Sequence, residues 1–274
     1  MEINVLTYNM SWATQKNILT GTEKDFVAAC QQEYKKGGKQ CTKNAIKNIG
    51  TLPKLDLMFI QEVNSDIEKR IMKVQPNLKD YKRAKIGISI VSTLWNPEVF
   101  GKLIFEASLN LTNSKKNVRP CQILVFEKTD NESILLINVH LPHKKKFMER
   151  EMKKIQKKIF SNEFLQKVIS NEKIKIIFGG DFNDDKTYIH NNKPLIINKV
   201  KLTHKKTKKQ AKKTLKSCCW KKNPKKYFSD TGDYILVNKN VKQLEIEIPK
   251  IFKKKGRQNR LFSDHMPVFS RLVI

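Results

Sequence analysis

Apolar residues recur in short runs at 3–8, 55–60, 86–91, 122–126, 134–139, 174–178, 233–237, 244–248 and 266–273. Their length and β-branched content read as strands. Helical spacing is clearest at 145–169, where Met148, Met152, Ile155 and Ile159 repeat beneath a face of Lys and Glu. A second helix is predicted over 42–50. A third is expected after Ser65, a candidate N-cap ahead of Ile67, Ile71 and Val74. Strands outnumber helices and adjoin one another in pairs. That pattern favours an α+β fold, a β-sandwich of two sheets flanked by helices, over an alternating βαβ fold.

No repeat and no Gly/Ser linker divides the 274 residues, so one domain spanning 1–274 is expected. One stretch departs from the pattern: residues 199–226 hold 13 Lys and no Asp or Glu. Such a run repels itself unless it is solvated or faces an anion, which marks it as a surface insertion. Across the whole chain 55 basic residues face 26 acidic ones, a formal charge of +29 that attracts polyanions. Only seven of the 55 are Arg, so the charge by itself does not assign a partner.

No apolar run approaches the roughly 18 residues needed to span a bilayer, and Met1-Glu2-Ile3-Asn4 does not open a signal peptide. Five Cys, an odd and sparse set, do not resemble a secreted disulfide framework. The expectation is an intracellular protein of the cytoplasm or nucleus, monomeric and without a membrane span. Cys218-Cys219-Trp220 lacks the spacing of a zinc knuckle and reads as packing.

Polar residues gather where the apolar runs end. Asn9 closes the first run and Gln61-Glu62 the second, and His140 follows Ile137-Asn138-Val139. Gly179-Gly180-Asp181-Phe182-Asn183 follows Ile176-Ile177-Phe178, Asp233 opens Tyr234-Ile235-Leu236, and Ser263-Asp264-His265 precedes Met266-Pro267-Val268. Strand-end groups of this kind can converge on one rim of a sandwich. In this order and context the segments, from Ile3 to Val268, resemble the endonuclease/exonuclease/phosphatase superfamily, whose fold is deoxyribonuclease I-like.

The resemblance implies a four-layer αββα sandwich and metal-dependent hydrolysis of phosphoester bonds. It makes Glu62 the main carboxylate ligand of Mg2+, with Mn2+ as a substitute, and gives Asn9 and Asp264 supporting roles at the metal. Asp181 carries over as general base, with Asn183 as its partner on the same face if the segment is extended. His140 and His265 would donate to the phosphoryl oxygens, and Asp233 would fix the tautomer of His265. Arg119, just before Pro120, is a candidate phosphate contact. Lys205, Lys206, Lys208 and Lys209 of the basic stretch are candidate backbone contacts.

Fold does not select the phosphoester. Gln61-Glu62-Val63 and Gly179-Gly180-Asp181 resemble tyrosyl-DNA phosphodiesterases, although His143 stands where those commonly place Ser. The leading expectation is a nuclease or 5′-end-processing enzyme acting on nucleic acid, DNA ahead of RNA. The alternatives are a phosphatase of inositol phosphates or phosphoinositides and a catalytically silent binding module.

Overall fold

The computed structural model describes residues 1–21, 23–64, 66–112, 118–129, 132–142, 145–183, 195–197, 200–203, 217–220, 228–230, 232–252 and 262–274. Ser65, Lys205, Lys206, Lys208, Lys209 and most of the basic stretch fall outside these residues. Two mixed sheets carry the fold. The first contains β1 (Glu2–Asn9), β2 (Leu57–Gln61), β3 (Asp80–Ile86), β4 (Ser89–Trp95), β14 (Lys242–Glu247) and β15 (Val268–Val273), in the order β14-β15-β1-β2-β4-β3. The second contains β5 (Lys102–Asn110), β6 (Pro120–Thr129), β7 (Glu132–His140), β8 (Lys175–Asp181) and β13 (Asp233–Val237), in the order β13-β8-β7-β6-β5. Two short ribbons stand apart, β9 (Leu195–Ile197) with β10 (Val200–Leu202), and β11 (Cys218–Trp220) with β12 (Phe228–Asp230).

Side chains alternate across each strand, so each sheet has two apolar faces to cover. Facing one another between the sheets are Val5, Leu57 and Phe59 of the first and Leu124, Leu136, Ile177 and Ile235 of the second. Outside the second sheet, Ile123, Val125 and Ile137 meet Met152, Ile155 and Ile159 of α6 (Lys145–Phe160) and Leu165 of α7 (Glu163–Ser170). Outside the first, Leu6, Met58 and Ile60 meet Ile46 and Ile49 of α3 (Gly37–Ile49) and Ile67 and Ile71 of α4 (Ile67–Val74). The result is the expected αββα arrangement. Further helices are α1 (Trp12–Lys16), α2 (Lys24–Glu33) and α5 (Pro97–Phe100).

Two sequence expectations are corrected. The run at 86–91 is not one strand: Ile86 closes β3, Gly87 and Ile88 form the turn, where Gly87 takes a left-handed φ of 59°, and Ser89, Ile90 and Val91 open β4. The helix expected over 145–169 breaks after Phe160, and the Asn162 side chain accepts from Leu165 N at 2.9 Å to start α7 afresh. Cysteine pairing also departs from expectation. Cys30 of α2 and Cys41 of α3 form a disulfide across 11 residues, because the turn at Tyr34–Lys36 folds the two helices together and buries both sulfurs. Counting cysteines could not reveal this. Cys218 is disulfide-bonded too, and the free thiol among the described residues is Cys121. Among these residues no helix is long and apolar enough to cross a membrane.

Strand polarity brings the polar ends together. β1 runs parallel to β2 with Asn9 opposite Gln61, and β7 parallel to β8 with His140 opposite Asp181. β13 runs antiparallel to β8 and begins with Asp233 opposite Asp181. β15 is antiparallel to β1, so its leading residues Ser263 to His265 arrive at the same end. Gln61 Nε2 donates across the sandwich to Asn138 Oδ1 at 2.9 Å, tying the two halves of this rim.

The Gly179-Gly180 pair lets β8 sit in this crowded place. A Cβ at Gly179 would lie 2.2 Å from the Phe59 ring, and one at Gly180, whose φ is +142°, would lie 2.1 Å from the Val139 carbonyl oxygen. Gly180→Ala is therefore expected to cost about 3 kcal/mol or more, as severe overpacking does. Urea denaturation measures it. An unchanged midpoint would mean that β8 does not lie this close to β7.

Candidate active site

Asn9, at the end of β1, stands at the centre of the rim. Its Nδ2 donates to Glu62 Oε1 at 3.1 Å and to Asp181 Oδ2 at 2.9 Å, while its Oδ1 accepts from Ser11 N at 3.0 Å. Glu62 accepts from Trp12 N through Oε2 at 2.9 Å and lies 3.5 Å from His140 Nε2. Burial alone would favour its protonated form. The His140 charge, the Trp12 N–H and the Asn9 amide outweigh burial and hold Glu62 below the usual carboxylate range.

Asp181 is buried between two imidazoles. His140 Nε2 lies 3.7 Å and His265 Nε2 3.6 Å from its Oδ2, and its Oδ1 accepts from Asn183 N at 2.8 Å. The segment is not extended, as the shared-face expectation required. Asn183 has a left-handed φ of 47°, and its Nδ2 donates to the Leu141 carbonyl. The turn, rather than strand alternation, returns Asn183 to Asp181, while Phe182 is buried against Phe178 and Tyr234.

His265 Nδ1–H donates to Asp233 Oδ2 at 3.0 Å, the pairing that the resemblance implied. Burial by itself would keep this imidazole neutral. Asp233, Asp181 and Asp264 reverse that and hold its pKa well above the ordinary value. Burial, reinforced by Asp181 and opposed by His265, raises Asp233 to about 6. Burial with the nearby charges of Glu62 and Asp181, again opposed by His265, raises Asp264 to about 6. Ser217 Oγ accepts from Asp233 N at 3.0 Å, and Ser263 Oγ donates to the Asn9 carbonyl at 2.8 Å. The Cys218 sulfur lies 3.5 Å from His265 Nε2, so this cysteine packs beside the site.

Three non-glycine residues of this rim, Ser11, Glu62 and Asn183, hold left-handed backbone with φ of 51°, 57° and 47°. Backbone of this kind is costly and persists where surrounding structure enforces it, commonly at functional sites.

Sequence reasoning missed Glu23. The residue precedes α2 and accepts from Ser11 Oγ. Burial, together with the charges of Asp264 and Glu62, raises its pKa to about 9. No motif carries Glu23, because an acidic residue before a helix is ordinary in any sequence. Arg119, in contrast, shares no hydrogen bond or ion pair with the cluster among the described residues. It lies just before β6, its Nη1 reaches the Val118 carbonyl at 3.4 Å, and its buried Nε has no hydrogen-bond partner among the described residues.

A divalent cation suits these residues. Glu62, Asp264 and Glu23 crowd one another with negative charge, enough to push the last two towards protonation, and they offer the carboxylate oxygens that a hard ion prefers, while the Asn9 amide orients Glu62. One atom each from Asp181, Asp233 and His265 also fall within 4.8 Å of one another. This buried group could itself hold a metal ion, with Asp233 orienting the His265 ring through Nδ1.

The crowding has a pH signature. Asp233, Asp264, Glu23 and His265 all bind protons more tightly in the fold than in the unfolded chain. Stability conferred by those protons is therefore present at low pH and is lost as pH rises from the ordinary carboxylate range to about 9. Glu62 shifts the other way, but its effect is confined to pH below that range. In EDTA the thermal midpoint should fall by several degrees between about pH 5 and about pH 9, and excess Mg2+ should flatten the decline. A midpoint in EDTA that rises over this span would contradict such crowding of like charge.

Two central sheets in this order with helices on both outer faces are the fold of solved structures of endonuclease/exonuclease/phosphatase proteins, to which this chain is similar. An endonuclease/exonuclease/phosphatase family protein from Bacteroides thetaiotaomicron matches with a TM-score of 0.70 at 17% identity, over 99% of this chain and 95% of its own. A mannosyl-6-phosphatase of Bacteroides thetaiotaomicron VPI-5482 gives 0.67 at 18%, over 99% of this chain and 100% of its own. A D. rerio TDP2 humanized by 14 mutations gives 0.61 at 14%, over 100% and 99%. No protein-family model matches the sequence, and no curated protein matches it.

Proposed function

We propose that the chain is a divalent-cation-dependent phosphodiesterase that hydrolyses nucleic-acid phosphodiester bonds, with DNA the preferred polymer and Mg2+ the preferred ion. The observation that carries this reading is the geometry around Asp181. A buried carboxylate held by Asn9 and Asn183 stands between two imidazoles, beside a separate carboxylate group suited to a cation.

Asp181 acts as general base. Hydrogen bonds from the Asn183 N–H and the Asn9 amide fix both of its oxygens, so the carboxylate is oriented before substrate arrives. His265, charged and fixed through Nδ1 by Asp233, presents Nε2–H to a phosphoryl oxygen, and His140, whose Nε2 lies near the same Asp181 oxygen, is placed to present a second donor. Glu62 and Asp264, with Glu23 near them, would hold the cation, and Asn9 would orient Glu62 through its amide. When bound, the cation would supply positive charge to the phosphoryl and leaving oxygens. Strand ends rather than mobile loops carry Asn9, His140, Asp181 and Asp233, which favours precise positioning.

A phosphomonoesterase reading draws support from the likeness to the mannosyl-6-phosphatase. The net charge of +29 favours a polymer of phosphates over a single one. Incubation with Mg2+ and a panel of single-stranded and duplex DNA, RNA, a 5′-adduct oligonucleotide, a sugar phosphate and inositol phosphates tests the choice. Fastest turnover on a nucleic-acid substrate is the expected result. Turnover confined to a sugar or inositol phosphate would replace the nuclease reading, and no turnover on any member would favour the silent module.

A further inference from the structure

Beside the rim lies a cleft of about 310 Å³ whose walls include Gln15, Lys36, Lys39, Lys43 and Arg70, with Asp66 as the acid among its lining residues. Its position follows from the sequence. Gly37 and Gly38 let the first turn of α3 press on α1: a Cβ at Gly38 would lie 2.2 Å from the Thr14 carbonyl oxygen, and Gly38 N donates to Asn17 Oδ1 at 3.0 Å. The Cys30–Cys41 disulfide ties α3 to α2 at the same end. Lys36, Lys39 and Lys43 are thereby held over Gln15, and α4 brings Arg70 to the cleft.

Gln15 is the wall shared with the active site. Its Nε2 donates to the Glu62 carbonyl at 2.7 Å, and its Oε1 accepts from Asn64 N at 2.9 Å, so one amide braces the left-handed turn that carries the Glu62 carboxylate. Among the described residues, none of the four cations pairs with a carboxylate within 4.0 Å. Four like charges around one concavity repel one another, and an anion bound there would relieve the repulsion. Lys36, Lys39 and Lys43 are exposed and flexible. They suit a phosphate as point charges rather than as a rigid fork.

We propose that this cleft is a second phosphate subsite, which takes a backbone phosphate of a polynucleotide strand while another phosphodiester of that strand lies at Asp181 and His265. The proposal rests on the nuclease reading, and it deepens that reading by giving the strand a path from the rim across Gln15 onto α3 and α4.

The test compares the combined variant Lys36→Gln/Lys39→Gln/Lys43→Gln with the parent. A control, Lys54→Gln/Lys167→Gln/Lys242→Gln, removes the same charge from exposed lysines outside the cleft. Binding of a fluorescent single-stranded DNA is followed by anisotropy against salt in EDTA, and hydrolysis of bis(p-nitrophenyl) phosphate is followed in Mg2+. Each lost phosphate contact lowers the slope of log affinity against log salt by about 0.7. The cleft variant should therefore lose roughly 0.7 of a unit of slope and at least tenfold in affinity at low salt. The control should keep most of both, and all three proteins should hydrolyse the small diester within about twofold of one another.

Equal slopes and affinities in cleft variant and control would overturn the subsite while leaving the nuclease reading standing, provided the small diester is hydrolysed. Loss of binding in the cleft variant alone, with no diester hydrolysis by any protein, would uphold a polynucleotide phosphate site and sink the catalytic reading instead.

Discussion

Asp181→Asn is expected to fold like the parent and to lose between about a hundredfold and ten-thousandfold in kcat, the range that positioned proton transfer contributes. An amide keeps an oxygen to accept from the Asn183 N–H at Oδ1, so local structure should survive. What it loses is basicity, and its nitrogen meets the donating Asn9 amide and the two imidazoles, where an acceptor is required. Full activity in Asp181→Asn, measured on an oligonucleotide under single-turnover conditions, would remove the general base from the mechanism. A KM effect with unchanged kcat would instead assign Asp181 to binding.

A second large effect concerns His265 and Asp233, joined by one 3.0 Å hydrogen bond in a buried place. Asp233 touches no substrate in this mechanism. It positions His265 and keeps it charged. His265→Ala and Asp233→Asn should each lower kcat by similar factors of about a hundred or more, and the double variant should lose little beyond either single one. The pH profile separates positioning from mere structure. With Asp233→Asn the alkaline limb of activity should move to lower pH, because the imidazolium has lost its nearest counter-charge. Losses that multiply in the double variant, together with an unmoved alkaline limb, would show that the two residues act independently.

Most of the fold was legible because buried strands announce themselves. The run at 233–237 matches β13 at both ends, and the runs at 134–139 and 174–178 sit within a few residues of β7 and β8. The edge strands β3 and β5 escaped notice, since their half-exposed alternation of Lys, Glu and apolar residues leaves no continuous apolar run. α6 and α7 merged into one predicted helix because the apolar spacing carries through the break, and only the Asn162 cap reveals the new start. For the site, the strand-end residues Asn9, Glu62, His140, Asp181, Asp233, Asp264 and His265 were all readable from the ordered motifs. The supports were not. Glu23, Gln15 and Ser217 are common polar residues whose roles come from tertiary approach, and only the folded chain brings them there. Lys205, Lys206, Lys208 and Lys209 lie outside the described residues, and the cations that line a cleft beside the site come instead from α3, α4 and the turn before α3.

The cation requirement is the most direct test of the proposed chemistry. Cleavage of an end-labelled DNA oligonucleotide is measured for the parent in Mg2+, for the parent in EDTA, and for Glu62→Gln in Mg2+, with isothermal calorimetry of Mg2+ binding to both proteins alongside. The expected result is cleavage by the parent in Mg2+ alone, loss of at least about a hundredfold in the other two conditions, and weakened Mg2+ binding to Glu62→Gln. Undiminished cleavage in EDTA, or a Glu62→Gln protein that binds Mg2+ and cleaves as the parent does, would contradict it.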